Sequence, residues 1–160
     1  MLVLDVEKSN MLREKYISAF INTKSPSYIE RIKTLTQFSD GLCYVGYLWD
    51  CLKKPVVVSK AELVRRLKNK KNIYIMWDLH SADRIFIPNY WKHPKECVLF
   101  VETWSEDLYE ELPEDIYIFD DTFTWSAIFT HETDINNDPY CLYMGDMREK
   151  EGQGDGSPVS

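Results

Sequence analysis

The sequence predicts an α+β fold in which N-terminal helices pack on one face of a mainly antiparallel sheet. Three observations point there. Apolar residues recur at helical spacing in the first forty positions. The run DIYIFDDTFTWSAIFTHE, Asp115 to Glu132, is two β-type stretches hinged at an Asp-Asp pair, the first with Ile116 and Ile118 opposing Tyr117 and Phe119, the second with Trp125, Ala127 and Phe129 alternating with Thr124, Ser126, Ile128 and Thr130. A chain of 160 residues that is 44% hydrophobic is long enough for one core and short for two. Residues 1 to 145 therefore read as a single domain. The stretch from 146 to 160, rich in Gly, Ser, Pro and charge, reads as a disordered tail.

Along the chain, residues 1 to 6 alternate weakly and suit an edge strand or an arm. From Ser9, the spacing of Leu12, Tyr16, Ala19 and Phe20 predicts an amphipathic helix. Ser25 followed by Pro26 predicts a second helix start, with Tyr28, Ile29, Ile32 and Leu35 inward and a stop at Asp40-Gly41. Leu42 to Leu52 is apolar enough for a buried strand, with a buried helix as the alternative. Ser59 with Glu62 forms a capping box, so a helix follows with Ala61, Val64 and Leu67 inward and Lys60, Arg65, Arg66, Lys68 and Lys70 outward.

Beyond Asn72 the pattern turns to strands. Ile73 to Asp78 and Arg84 to Ile87 flank a tight turn and predict a hairpin. Pro88 to Lys95 is a loop, and Cys97 to Val101 suits a central strand. Ser105 to Leu112 is a short helix with acids in its first turn. The Asp115 to Glu132 hairpin comes next, then a polar turn at Asp134 to Asp138 and an edge strand at Tyr140 to Tyr143.

Charge is divided unevenly. Residues 1 to 100 carry 17 Lys and Arg against 10 Asp and Glu, whereas residues 101 to 147 carry 13 acids and no Lys or Arg. Either the two halves neutralise each other in space, or an acidic face is kept for a cationic partner. The second reading makes Glu106, Asp107, Glu110, Asp120, Asp121, Trp125, His131 and Glu132 the candidate binding residues. It predicts a basic protein as partner, in the manner of an immunity protein or antitoxin.

The basic helix after Ser59 carries no helix-turn-helix, RRM or KH signature, so no nucleic-acid partner is expected. No apolar run reaches the roughly 18 to 20 residues of a membrane helix, and the N-terminus lacks a secretory pattern; a cytoplasmic protein is expected. Cys43, Cys51, Cys97 and Cys141 form no CxxC pair and read as buried thiols, with a Cys43–Cys51 disulfide as the alternative.

Motifs for catalysis are missing: the chain has no HExxH, GxSxG, GxGxxG or phosphate-binding loop, and no cofactor is expected. The alternative to a binding module is a metal-assisted hydrolase using His131, Glu132 and Asp120, with His80 of the Asp78, His80, Asp83 group as a further candidate, since histidine with carboxylates can hold a divalent ion. Adjacent residues on a strand face opposite ways, so His131 and Glu132 can chelate together only if the strand has already ended.

The run Asp115-Ile116-Tyr117, then Asp120, Phe123, Trp125 and Thr130-His131-Glu132, with Gly46-Tyr47-Leu48-Trp49 upstream, resembles a family of small uncharacterised proteins from Bacillus-type Firmicutes. The resemblance extends over about residues 10 to 145. It implies a bacterial cytosolic protein and no particular reaction. The tail after Gly145 departs from the pattern, which suggests that it is dispensable.

Overall fold

Among the described residues seven strands form one antiparallel sheet, and helices cover both of its faces. The computed structural model describes residues 1–34, 36–38, 41–79 and 95–145, with the main chain alone at 36–38 and 41–43. Outside these residues lie the expected strand Arg84 to Ile87, most of the loop from Pro88, His80, Asp83, the side chain of Cys43, and the tail from 146.

The elements in chain order are strand β1 (Leu2–Val3), helix α1 (Val6–Phe20), a π-helical turn (Tyr28–Ile32), strands β2 (Thr36–Phe38) and β3 (Gly41–Cys43), and a 3-10 turn (Leu48–Cys51). Strand β4 (Val56–Val58), helix α2 (Lys60–Leu67), strands β5 (Ile73–Trp77) and β6 (Leu99–Val101), helix α3 (Glu106–Glu110), and strands β7 (Ile116–Phe119), β8 (Ser126–Thr133) and β9 (Pro139–Met144) complete them. The sheet order is β1-β6-β5-β7-β8-β9-β4, and β2 pairs with β3 in a separate hairpin.

The expected hairpin is β7 and β8, registered with Ile116 opposite Phe129 and Phe119 opposite Ser126. It occupies the middle of the sheet, so both of its faces are buried. Ile116, Ile118, Ala127 and Phe129 join Leu63 and Leu67 of α2 on one side. Tyr117, Phe119 and Ile128 join Leu12, Tyr16 and Phe20 of α1 on the other. The helices are thus divided between the two faces, where the sequence suggested one. Apolar residues at every position of β7 are what such double burial requires.

Local signals set the helix ends. Asp5 caps α1 by accepting from Lys8 N at 2.7 Å, which starts the helix before the expected Ser9. Ser59 accepts from Glu62 N at 3.0 Å, and Ser105 from Leu108 N at 3.1 Å. In α2 the inward face is Leu63, Arg66 and Leu67, while Ala61 is exposed. Arg66 is buried because Glu62 Oε2 accepts from its Nε at 2.9 Å and its guanidinium lies 4.5 Å from the centre of the Tyr143 ring.

The second helix shrinks to the π-helical turn. Ile29, expected inside, is 48% exposed, and the chain returns as the β2–β3 hairpin. The apolar stretch after Gly41 is neither one strand nor one α-helix; β3 ends at Cys43 and the 3-10 turn begins at Leu48. Strand β6 is next to the edge strand β1, and β9 is interior, flanked by β8 and β4. Cys51, Cys97 and Cys141 are free and buried, which leaves no Cys43–Cys51 bridge. No helix among the described residues is long and apolar enough to cross a membrane.

Candidate functional site

Strand β8 outruns its partner β7, and the overhang carries the most polar constellation of the hairpin. Past the last β7–β8 pair, Ile116 with Phe129, the register of β8 against β9 shifts between Phe129 and Thr133. Such an irregularity re-aims side chains. It brings His131 Nε2 within 3.6 Å of Glu132 Oε1, a meeting that regular strand geometry would forbid.

Asp115, immediately before β7, anchors this overhang. The residue is only 3% exposed. Its Oδ1 accepts from His131 N at 3.0 Å and from Trp49 Nε1 at 3.1 Å, and it lies 3.0 Å from His131 Nδ1. A carboxylate facing Nδ1 fixes the Nδ1–H tautomer of the neutral ring and turns Nε2 toward Glu132 and solvent. The hydrogen bond to Asp115 raises the His131 pKa above its ordinary 6.5, with burial opposing. The imidazole packs against the Tyr47–Trp49 pair, its ring centroid 5.0 Å from Tyr47 and 6.0 Å from Trp49, and those two aromatics stack on each other at 5.1 Å.

Trp49 is held in turn from below. Its main-chain N–H donates to Tyr117 Oη at 2.9 Å, and that hydroxyl donates to Asp78 Oδ2 at 2.6 Å. Asp78 follows β5, is fully buried, and accepts at Oδ1 from Tyr44 Oη at 2.8 Å and Leu48 N at 3.0 Å. Burial pushes its pKa up to about 7 against the pull of these three donors. One chain of contacts, Asp78 to Tyr117 to Trp49 to Asp115 to His131, therefore runs from the core to the surface through the 3-10 turn.

The remaining predicted residues occupy other places. Asp120 and Asp121 sit at the opposite end of the hairpin. Asp120 Oδ1 accepts from Thr122 N at 3.0 Å and its Oδ2 from Trp125 Nε1 at 2.8 Å, so it shapes the turn. Trp125 is 3% exposed and belongs to the core, with the Lys70 ammonium 4.6 Å from the centre of its ring; it is not positioned to touch a partner. The hairpin keeps Asp120 apart from His131 and Glu132. Among the described residues no group of three or more His, Cys, Asp or Glu side chains is arranged to hold a metal ion.

Glu106, Asp107 and Glu110 are exposed on α3, beside exposed Glu102 and Glu111. Glu106 lies 4.0 Å from Lys60. The sequence reading passed over Asp115, Trp49 and Tyr47 as functional positions. The signal that could have found Asp115 and Asp78 is a carboxylate directly abutting an apolar strand, IYIF in one case and IYIMW in the other. A carboxylate in that position is buried and must recruit donors.

No protein-family model matches the chain, and no curated protein or solved structure matches it.

Proposed function

We propose that the chain is a non-catalytic protein-binding module of the bacterial cytoplasm, which engages a basic protein through its acidic C-terminal half in the manner of an immunity protein or antitoxin. The observation that carries this reading is a surplus of carboxylates. Glu102, Asp107, Glu110 and Glu111 are exposed and make no ion pair among the described residues. Of the cations on and just after α2, Arg65 and Arg66 are engaged with Glu62, Lys60 with Glu106 and the Tyr109 ring, and Lys70 with the Trp125 ring, while Lys68 is exposed. Neutralisation of one half of the chain by the other is therefore partial, and the remaining acids supply the negative charge that would steer a cationic partner.

The contacts of Asp115 fit the same reading. A carboxylate with donors from Trp49 and His131 acts as a strut, and the half-buried Tyr47 and Trp49 beside it have the composition of an interface anchor.

The test is a pull-down at low salt from the cell that makes the protein, comparing wild type with a Glu106→Lys, Asp107→Lys, Glu110→Lys triple variant. The expected result is a basic partner retained by wild type, released by salt and lost by the variant. Failure to recover any partner, or a partner indifferent to the charge reversal, overturns the reading.

A further inference from the structure

A buried cation that makes no direct ion pair among the described residues lies on the other face of the sheet. Arg13 of α1 is 9% exposed. Its Nε donates to the Glu96 carbonyl at 2.8 Å and its Nη1 to the Trp77 carbonyl at 3.1 Å, while Nη2 is buried with no acceptor among the described residues. Those acceptors are main-chain groups; no carboxylate among the described residues forms an ion pair with this guanidinium. Asp78 and Glu96 lie close enough to act on Arg13 electrostatically, but neither forms an ion pair with it, and the Asp78 oxygens are occupied by Tyr44, Leu48 N and Tyr117. Buried charges are ordinarily paired, because removing an ion from water costs several kcal/mol.

The same side chain lines a cavity of about 260 Å³. Ile17, Ile32, Leu48, Met76 and Leu79 make its walls largely apolar. Tyr44 adds its ring, with the hydroxyl directed to Asp78. Lys33 and Glu96 also line it with opposite formal charges, so the unbalanced charge of the cavity is that of Arg13. An apolar chamber with one convergent cationic group is the usual form of a small-ligand site, and this volume falls just below the range of about 300 to 1,000 Å³ that drug-sized ligands occupy, which limits the occupant to a small molecule.

We propose that the cavity binds a small monocarboxylate with an apolar tail, its carboxylate accepting from the Arg13 guanidinium and its hydrocarbon packed among Ile17, Ile32, Leu48 and Met76. A carboxylate supplies the acceptor that Nη2 lacks among the described residues, and the apolar walls select against a hydrated inorganic anion. The site is independent of the acidic surface on α3.

Hexanoate is a suitable probe, with hexanol as its uncharged counterpart. Titrated into folded wild-type protein at millimolar concentration and followed by amide NMR, hexanoate should bind with one-to-one stoichiometry and shift the resonances of Arg13, Ile17, Tyr44 and Met76. Hexanol should bind at least about tenfold more weakly, the minimum expected from losing one charge-assisted contact. Ile17→Phe should abolish binding by filling the chamber while leaving Arg13 in place, and Arg13→Gln should bring hexanoate down to the level of hexanol. If Arg13→Gln fails to fold, the hexanol comparison and Ile17→Phe still decide. No shift with wild type, equal binding of acid and alcohol, or shifts confined to another surface overturns the proposal.

Discussion

The Tyr117 hydroxyl donates to Asp78 Oδ2 at 2.6 Å, joining the middle of the sheet to the only carboxylate that is fully buried among the described residues. The Tyr117 hydroxyl oxygen in turn accepts from Trp49 N. Tyr117→Phe therefore strands a carboxylate oxygen and a main-chain N–H at once. A loss of about 2–4 kcal/mol is expected, read from urea unfolding, because unsatisfied buried groups cost about 1–3 kcal/mol each and partial relaxation offsets some of it. A change below about 0.5 kcal/mol would mean that water replaces the hydroxyl.

Stability should fall as pH rises through neutrality. Burial holds the Asp78 pKa at about 7 in the folded chain, against an ordinary 3.8. The folded state thus binds this proton more tightly than the unfolded state, and between the two values it carries more protons. Its contribution worsens with rising pH by at most about 1.4 kcal/mol per unit and levels off above the folded value. His131 acts in the same direction: its stabilisation is complete below 6.5 and is lost as pH rises through its raised folded value. Asp78→Asn should flatten the slope of unfolding free energy between pH 5 and 7, whatever it does to the absolute level. An unchanged slope would locate the titration elsewhere.

Asp115→Asn should lower the His131 pKa, since the hydrogen bond to that carboxylate is the largest influence raising it. The measurement is the imidazole Cε1–H shift against pH. Wild type should titrate above 6.5 and the variant below wild type. An unaltered midpoint would assign the raised value to Glu132 and Glu114 instead.

In α2, Glu62→Ala should cost more than Arg66→Met. Removing the glutamate deprives a buried guanidinium of its partner, an effect of about 3–5 kcal/mol, whereas methionine retains the packing against Tyr143 without a charge. Thermal unfolding of the two variants gives the order directly, and a reversed order would make the Tyr143 contact the larger interaction.

The parts legible in sequence were those governed by local chemistry. Ser59 with Glu62, Ser105, and the alternation from Ile116 to Thr130 each determine their own element, and all three elements formed where expected. Decisions made between distant segments were not legible. Leu42 to Leu52 is apolar for several unrelated reasons: Tyr44 reaches Asp78, Leu48 fills the core, and Trp49 reaches Asp115. Periodicity has no way to express that. Arg66 looked like an outward cation because its partners, Glu62 and Tyr143, are set by helix rotation and by β9. The β8 bulge leaves no compositional trace, so His131 and Glu132 could be paired only by seeing the register shift against β9. The clearest misreading was Asp120 with His131, near in function on paper and at opposite ends of one hairpin in space.

Gly46 shows how closely the 3-10 turn is approached: a Cβ there would stand 2.7 Å from Arg31 Cβ and 3.0 Å from Ile32 Cδ1. Gly46→Ala must push the π-helical turn away. The expected result is a loss of about 1–3 kcal/mol by the cost of overpacking, measured by urea unfolding. Tolerance without loss would show that the turn can slide.

Strand β7 is sealed above, below and on both sides: every residue is 0% exposed, with β5 and β8 hydrogen-bonded along its flanks. Its amides should be among the last to exchange with deuterated solvent, opening only when the whole molecule opens. Asp115 is the residue next to that strand. The His131 constellation is therefore moored to the slowest-breathing part of the chain, so its geometry should persist on timescales at which the edges β1 and β4 have already frayed.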